Sequence, residues 1–320
     1  MSLKRFLSRL RDRCLGTELD RELRRAVSKG GWRVLVYWNR GLGDIALGLC
    51  GLLARLRERL PGCHISVLTR PDLGQAFALT DIDRILVCPT LRRGDAQGFG
   101  RACRALELDP GAFDVVFERP DPTRWLADSL GHFVPRLRWR TEWNSLANRF
   151  AGISLDRPVI AAHVSSETGQ FYGYVKDWPP HSWRELFQRV SERHPVQWVL
   201  LGHAKGERFD QPNALDLRGQ TSLLDVLAIL RNRAQVLIAV DSGILAMVYY
   251  LAESFPLEVI SLWSDPRQGV LKQRVASPNP GLRHCPLVGE GEDVLRLNVE
   301  RVEEAVVASL ARLALRPTPP

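Results

Sequence analysis

Arg33-Val-Leu-Val-Tyr-Trp-Asn-Arg-Gly-Leu-Gly-Asp-Ile-Ala-Leu-Gly-Leu-Cys-Gly-Leu-Leu-Ala-Arg55 is the stretch whose reading decides the fold. Its first part, residues 34–38, is a short β-branched and aromatic run, the pattern of a strand buried on both faces of a parallel sheet. Gly41 and Gly43 let the chain reverse without a Cβ penalty. Ile45, Leu47, Leu49, Leu52, Leu53 and Leu56 then recur at helical spacing. Asp44 falls in the first turn of that helix, where unpaired amides and the positive end of the dipole favour a carboxylate. Taken alone, it reads as a helix cap. The sharper reading is a base at the carboxyl end of a sheet strand, where open α/β sheets bind their ligands.

Further along, 64–69, 84–87 and 113–117 read as strands, with helical patterns at 99–108 and 125–134 between them. Strands alternating with helices predict βαβ units. The pattern restarts with strands at 159–164, 197–201, 215–217, 236–240 and 257–262, helices at 182–192, 223–231 and 244–251, and a last helix at 299–313. The fold class is therefore α/β, with two Rossmann-like parallel-sheet domains. Ala-Gly-Ile-Ser-Leu-Asp-Arg-Pro, ending at Pro158, breaks the helical pattern and sets the expected domains at 1–152 and 153–320.

The chain has 320 residues, 45% of them hydrophobic, enough for two cores. No apolar run approaches the roughly 18–20 residues of a membrane helix, and the first ten residues lack the apolar core of a signal peptide, so a cytoplasmic location is expected. Leu3, Phe6, Leu7 and Leu10 among Lys4, Arg5, Arg9, Arg11 and Arg13 form a basic amphipathic helix; packing on its own domain is favoured, with peripheral contact to an anionic membrane left open. Six cysteines show neither a Cys-x-x-Cys pair nor zinc-ligand spacing, and no metal is expected. A net charge of +8 calls for an anionic partner, without separating nucleic acid, anionic lipid and phosphorylated sugar. No clustered base-reading motif points to nucleic acid. Asp81-Ile-Asp83 reads as a turn before a strand rather than a metal site.

Three loops at the ends of predicted strands carry the polar groups. Gly41-Leu-Gly43-Asp44, continued by Ile-Ala46, also fits a dinucleotide fingerprint, and Arg70 after the next strand could meet a 2′-phosphate; an NADP-dependent oxidoreductase is thus one alternative. Against it, Asp44 puts negative charge where a pyrophosphate would sit. Ser165 and Ser166, with Thr168 and Gly169, offer hydroxyl and amide donors, and Lys176 before Trp178-Pro179 adds a cation suited to a diphosphate. Asp241-Ser242-Gly243 opens a helix whose amides form an anion site, with an ordinary cap as the competing reading.

In their joint order, Gly43-Asp44, Lys176-x-Trp178-Pro179 and Arg218-Gly219-x-Thr221-Ser222-Leu223 leading to Asp241-Ser242-Gly243 resemble the ADP-heptose:lipopolysaccharide heptosyltransferases, glycosyltransferase family nine. The resemblance spans roughly residues 33 to 265. It implies a GT-B architecture, two Rossmann-like domains facing across a cleft, and metal-independent inverting transfer without a cofactor. The donor would be an ADP-sugar and the acceptor a phosphorylated lipid or saccharide. It assigns Asp44 the role of base and Lys176, Asp241, Ser242 and Gly243 to the donor, with Glu207 matching a residue that holds the nucleotide ribose; Ser165 and Ser166 are read beside them on the donor side, and Gly41 and Gly43 on the acceptor side. One departure stands out: the family usually places a histidine three residues after the motif's glycine, and this chain has Ala246. Alanine offers no hydrogen bond there. A GT-B homologue that has lost catalysis and acts as a binding protein is therefore a further alternative, and His163, His203 and Arg267 are candidate replacements.

Overall fold

The computed structural model describes residues 18–28, 30, 32–95, 97–121, 130–166 and 173–314. The basic helix expected in the first residues, the first half of the helix expected at 125–134, and Thr168 and Gly169 lie outside them; the second half, 130–134, is turn and irregular chain rather than the expected helix. By packing, the chain divides into two compact units, one formed by Met1–Arg40 and Gly48–Ser129, the other by Gly41–Leu47 and Leu130–Pro320.

In the first unit, helix α1 (Glu18–Ser28) precedes strand β1 (Arg33–Trp38). A π-helical turn, Ile45–Leu49, whose first three residues belong to the second unit, then runs directly into α2 (Cys50–Arg59). Strands β2 (His64–Thr69), β3 (Arg84–Val87) and β4 (Val115–Phe117) follow, with α3 (Gly98–Ala105) between β3 and β4. The sheet is parallel throughout, in the order β3-β2-β1-β4, with Val34 opposite both Ile65 and Val115. Residues 34–38 are all buried, as a central strand of apolar sequence requires. Asp83 is a structural carboxylate: it accepts from the Ile65 amide at 2.6 Å and pairs with Arg57 at 2.9 Å.

The second unit holds β5 (Val159–His163), α4 (Pro180–Arg193), β6 (Gln197–Leu201), β7 (Ala214–Asp216), α5 (Leu223–Asn232), β8 (Val236–Val240), α6 (Gly243–Tyr249), β9 (Leu257–Trp263), β10 (Leu282–Val288) and α7 (Val299–Ala314). All pairs are again parallel, in the order β10-β9-β8-β5-β6-β7. In chain order this is 3-2-1-4-5-6, and it reverses between β5 and β8. The strand β10 was not expected from sequence, because Leu282-Arg-His-Cys-Pro-Leu-Val288 sets two adjacent polar residues and a proline where a strand pattern would run or alternate; as an edge strand it tolerates that proline.

The core of the second unit explains why its loops are held. Trp178, Trp183, Phe187 and Trp198 form a chain of edge-on and tilted ring contacts beneath Ile160, Ala162 and Ile238. Trp178 is 1% exposed and donates from its indole to the Leu297 carbonyl at 2.9 Å. The tryptophan of the Lys176-x-Trp178-Pro179 motif is thus a structural anchor. It fixes the start of α4, whose first position is Pro180, where the missing amide costs nothing.

Candidate functional site

At the reversal of the second sheet, the loops after β5 and β8 leave side by side, the place where doubly wound sheets bind ligands. Ser165 is half-buried and Ser166 buried; the Ser166 amide donates to Asp177 at 2.7 Å, tying the start of this loop to its end. Burial raises the Asp177 carboxyl above its ordinary value. Next to Asp177, the Lys176 ammonium bonds Asp241 at 2.5 Å, with both side chains largely buried. Lys176 is thus not a bare cation in this state: its charge is matched by the carboxylate that begins the β8 turn.

That turn caps α6. Ser242 has extended backbone and its hydroxyl accepts from the Leu245 amide at 3.3 Å. Trp263, Ser264, Asp265 and Gln268, from the end of β9 and the loop after it, join Tyr174, Val175, Lys176 and Asp241 around a cavity of about 420 Å³, its open mouth included. Ser264 ties this wall together, donating to the Val175 carbonyl at 2.7 Å and accepting from the Val294 amide at 3.1 Å. Asp265 is held in its ionised form, below the ordinary carboxylate range, by hydrogen bonds from Arg267. Gly269 has a φ of +50°, and a Cβ there would lie 2.6 Å from Asp241 Oδ1 and 2.7 Å from the Trp263 ring. No other residue fits beside the carboxylate. Apart from Arg267, the sequence reading missed Gly269 and the β9 loop, although the carboxyl end of a predicted parallel strand was the signal that could have found them.

The turn bearing Asp44 packs with this same unit. A Cβ on Gly43 would stand 3.4 Å from Gly243 Cα and 3.5 Å from Ala246 Cβ, and one on Gly243 would meet Leu42 Cβ at 2.8 Å. Two glycines and an alanine therefore let the two turns touch backbone to backbone. Asp44 itself accepts the Gly41 amide at 3.2 Å, closing its own turn. Ala246 is 2% exposed, so the departure from the family pattern fills a tight packing position rather than leaving a gap.

Glu207 does not join this group: it is exposed, forms an ion pair with Arg184, and does not line the cavity. Arg267 pairs with Asp265 and Glu292 at the surface. His163, at the end of β5, is buried, and its Nδ1 has no partner among the described residues. Burial lowers its pKa to about 4. Arg70 is 5% exposed and donates to Asn39, to the Arg40 carbonyl and to Asp72, so the cation that the dinucleotide reading needed is already engaged. Among the described residues no cluster of three His, Cys, Asp or Glu side chains could hold a metal ion, and no helix is long and apolar enough to cross a membrane.

Two parallel doubly wound units in one chain are the GT-B architecture, and this protein is a glycosyltransferase of that class. Its fold is similar to ADP-heptose lipopolysaccharide heptosyltransferase II of E. coli, with a TM-score of 0.59 at 17% identity over 88% of this chain and 99% of that one. It is also similar to the E. coli heptosyltransferase WaaC solved with ADP, with a TM-score of 0.51 at 16% identity over 89% and 100% of the two chains. No curated protein matches the chain. Residues 132–269 match the model of glycosyltransferase family 9 (heptosyltransferase). The matched span carries Ser165, Lys176, Asp241 and Gly243 and ends at Gly269.

Proposed function

We propose that the protein transfers a sugar, with heptose the first candidate, from an ADP-sugar to a phosphorylated lipopolysaccharide-core or related envelope acceptor, with inversion and without a resident metal. The observation that carries this reading is the contact between the two turns: the Asp44 turn lies against the N-terminus of α6, beside the Lys176–Asp241 pair. In this reading Asp44 takes the proton of the acceptor hydroxyl as its oxygen attacks the anomeric carbon and the bond from that carbon to the diphosphate breaks. Lys176, Ser165, Ser166, the Ser242 hydroxyl and the amides opening α6 meet the charge on the departing ADP. The cavity beside Asp241 receives the donor, Gly41 and Gly43 face the acceptor, and Glu207 exchanges Arg184 for the nucleotide ribose. Work on the cytoplasmic side, peripheral to an anionic membrane, suits such an acceptor.

Thermal unfolding with ADP, UDP, GDP, CMP and NADP tests the donor class, because a ligand that binds the folded state alone raises the melting temperature. Selective stabilisation by ADP is the expected result; selective stabilisation by NADP would overturn the reading. Ala246 favours a second reading, a homologue that binds without catalysing. It predicts stabilisation by ADP but no transfer of heptose from ADP-heptose to extracted lipopolysaccharide core, in the native protein and in Ala246→His alike.

A further inference from the structure

Gln273 closes the short helix Gly269–Gln273, and its side chain is wholly buried although it is a primary amide. Its Nε2 donates to the carbonyl of Leu47 at 2.5 Å, and its Oε1 has no partner among the described residues. A carbonyl can only accept, so this contact fixes which way the amide points. An amide oxygen left unpaired in the interior is costly, and the arrangement needs a reason. Leu47 is the middle residue of the π-helical turn Ile45–Leu49, the turn that begins one residue after Asp44. Gln273 and residues 41–47 belong to one packing unit.

A π turn holds one residue more than an α turn. Removing that extra residue from the register would rotate the residues before it, Asp44 among them, by about 100° about the local helix axis. The π turn therefore sets the direction of Asp44. Such turns persist where another group engages the helical carbonyls, and they cluster at functional sites. We infer that Gln273 is a positioning residue: by bonding the Leu47 carbonyl it holds the π turn open and so aims the Asp44 carboxylate. This rests on the reading of Asp44 as the base.

Gln273→Leu removes the donor and keeps the volume. Hydrogen–deuterium exchange should then speed up for peptides covering 41–52 while those covering β5 and β8 stay protected; unchanged exchange at 41–52 overturns the inference. With ADP-heptose and extracted lipopolysaccharide core, kcat should fall roughly 10- to 100-fold while KM for the donor stays within about twofold, the signature of a displaced catalytic group. Asp44→Asn separates the two claims. If Asp44→Asn abolishes transfer and Gln273→Leu leaves kcat intact, the base stands and the positioning role falls; if Asp44→Asn transfers normally, both fall. Adding Gln273→Leu to Asp44→Asn should cost nothing further, and an additive loss would show that Gln273 acts elsewhere. Should the leucine variant fail to fold, Gln273→Glu reads the same contact. Its protonated carboxyl still donates, so its kcat relative to the native protein should fall as pH rises, and a ratio independent of pH overturns the proposal.

Discussion

The turn after β1 and the turn after β8 look alike in sequence, each a buried strand, a glycine-bearing turn and a helix, yet they are built to opposite ends. The second is an orderly N-terminus: Ser242 caps α6, the helix is α from its first residue, and Asp241 is matched by Lys176. The first has its carboxylate folded back on the Gly41 amide and then enters a π turn whose Leu47 carbonyl needs Gln273. An anion-binding loop gains from regular, unoccupied amides, whereas a loop that must aim one side chain tolerates irregular backbone. The two meet because Gly43, Gly243 and Ala246 carry so little bulk.

The largest effect should come from the first turn. Asp44→Asn keeps an oxygen for the Gly41 amide but removes the proposed base, and transfer should fall by about 10²- to 10⁴-fold, read as initial rate with ADP-heptose, while ADP still raises the melting temperature. An equal loss of ADP binding would mean that the two turns do not divide their work. Lys176→Ala tests the second turn: it strands the Asp241 carboxylate in a largely buried position, and urea unfolding should show a loss of about 3–5 kcal/mol. Adding Asp241→Asn should return much of that loss, because the uncompensated charge goes with it.

Next comes the strand beside the second turn. His163, in register with Ala239 of β8, titrates near 4 when folded against 6.5 ordinarily, because burial disfavours its charged form. Below 6.5 the unfolded chain takes up a proton that the folded one refuses. Its contribution is complete above about pH 6.5 and is lost as pH falls towards 4. Melting temperatures of His163→Asn between pH 7 and 4 should show a shallower acid limb than the native protein. The smallest effect is expected where the turns touch: Gly243→Ala pushes a methyl to 2.8 Å from Leu42 Cβ and should cost about 1–3 kcal/mol. Gly43→Ala, whose methyl would meet its nearest neighbour, Gly243 Cα, at 3.4 Å, should cost less, and a reversal of that order would refute the packing described.

Much of this was legible in the chain. The buried runs at 34–38, 159–163 and 236–240 carry no charge to spare for solvent, so their strand character and parallel setting followed from composition. The short hydroxyl and glycine loops after β5 and β8 were legible as well, since strand ends in α/β folds are where polar groups collect. Glu207 was not placed by that logic: its loop follows β6, away from the reversal of the sheet, and the side chain found Arg184 instead.

Periodicity and turn chemistry determined by themselves that the chain forms two doubly wound sheets, because strand burial and helix capping are local in sequence, and the order of its motifs carried the resemblance to glycosyltransferase family nine. Tertiary structure alone decided the pairing of Lys176 with Asp241 across 65 positions, the seating of Gly269 against Asp241, the packing of the Asp44 turn on α6, and the bond from Gln273 to Leu47 across 226 positions. Each depends on atoms brought within a few ångströms by the closing of the sheet, and the helical spacing of 45–56 reads the same whether its first turn is α or π.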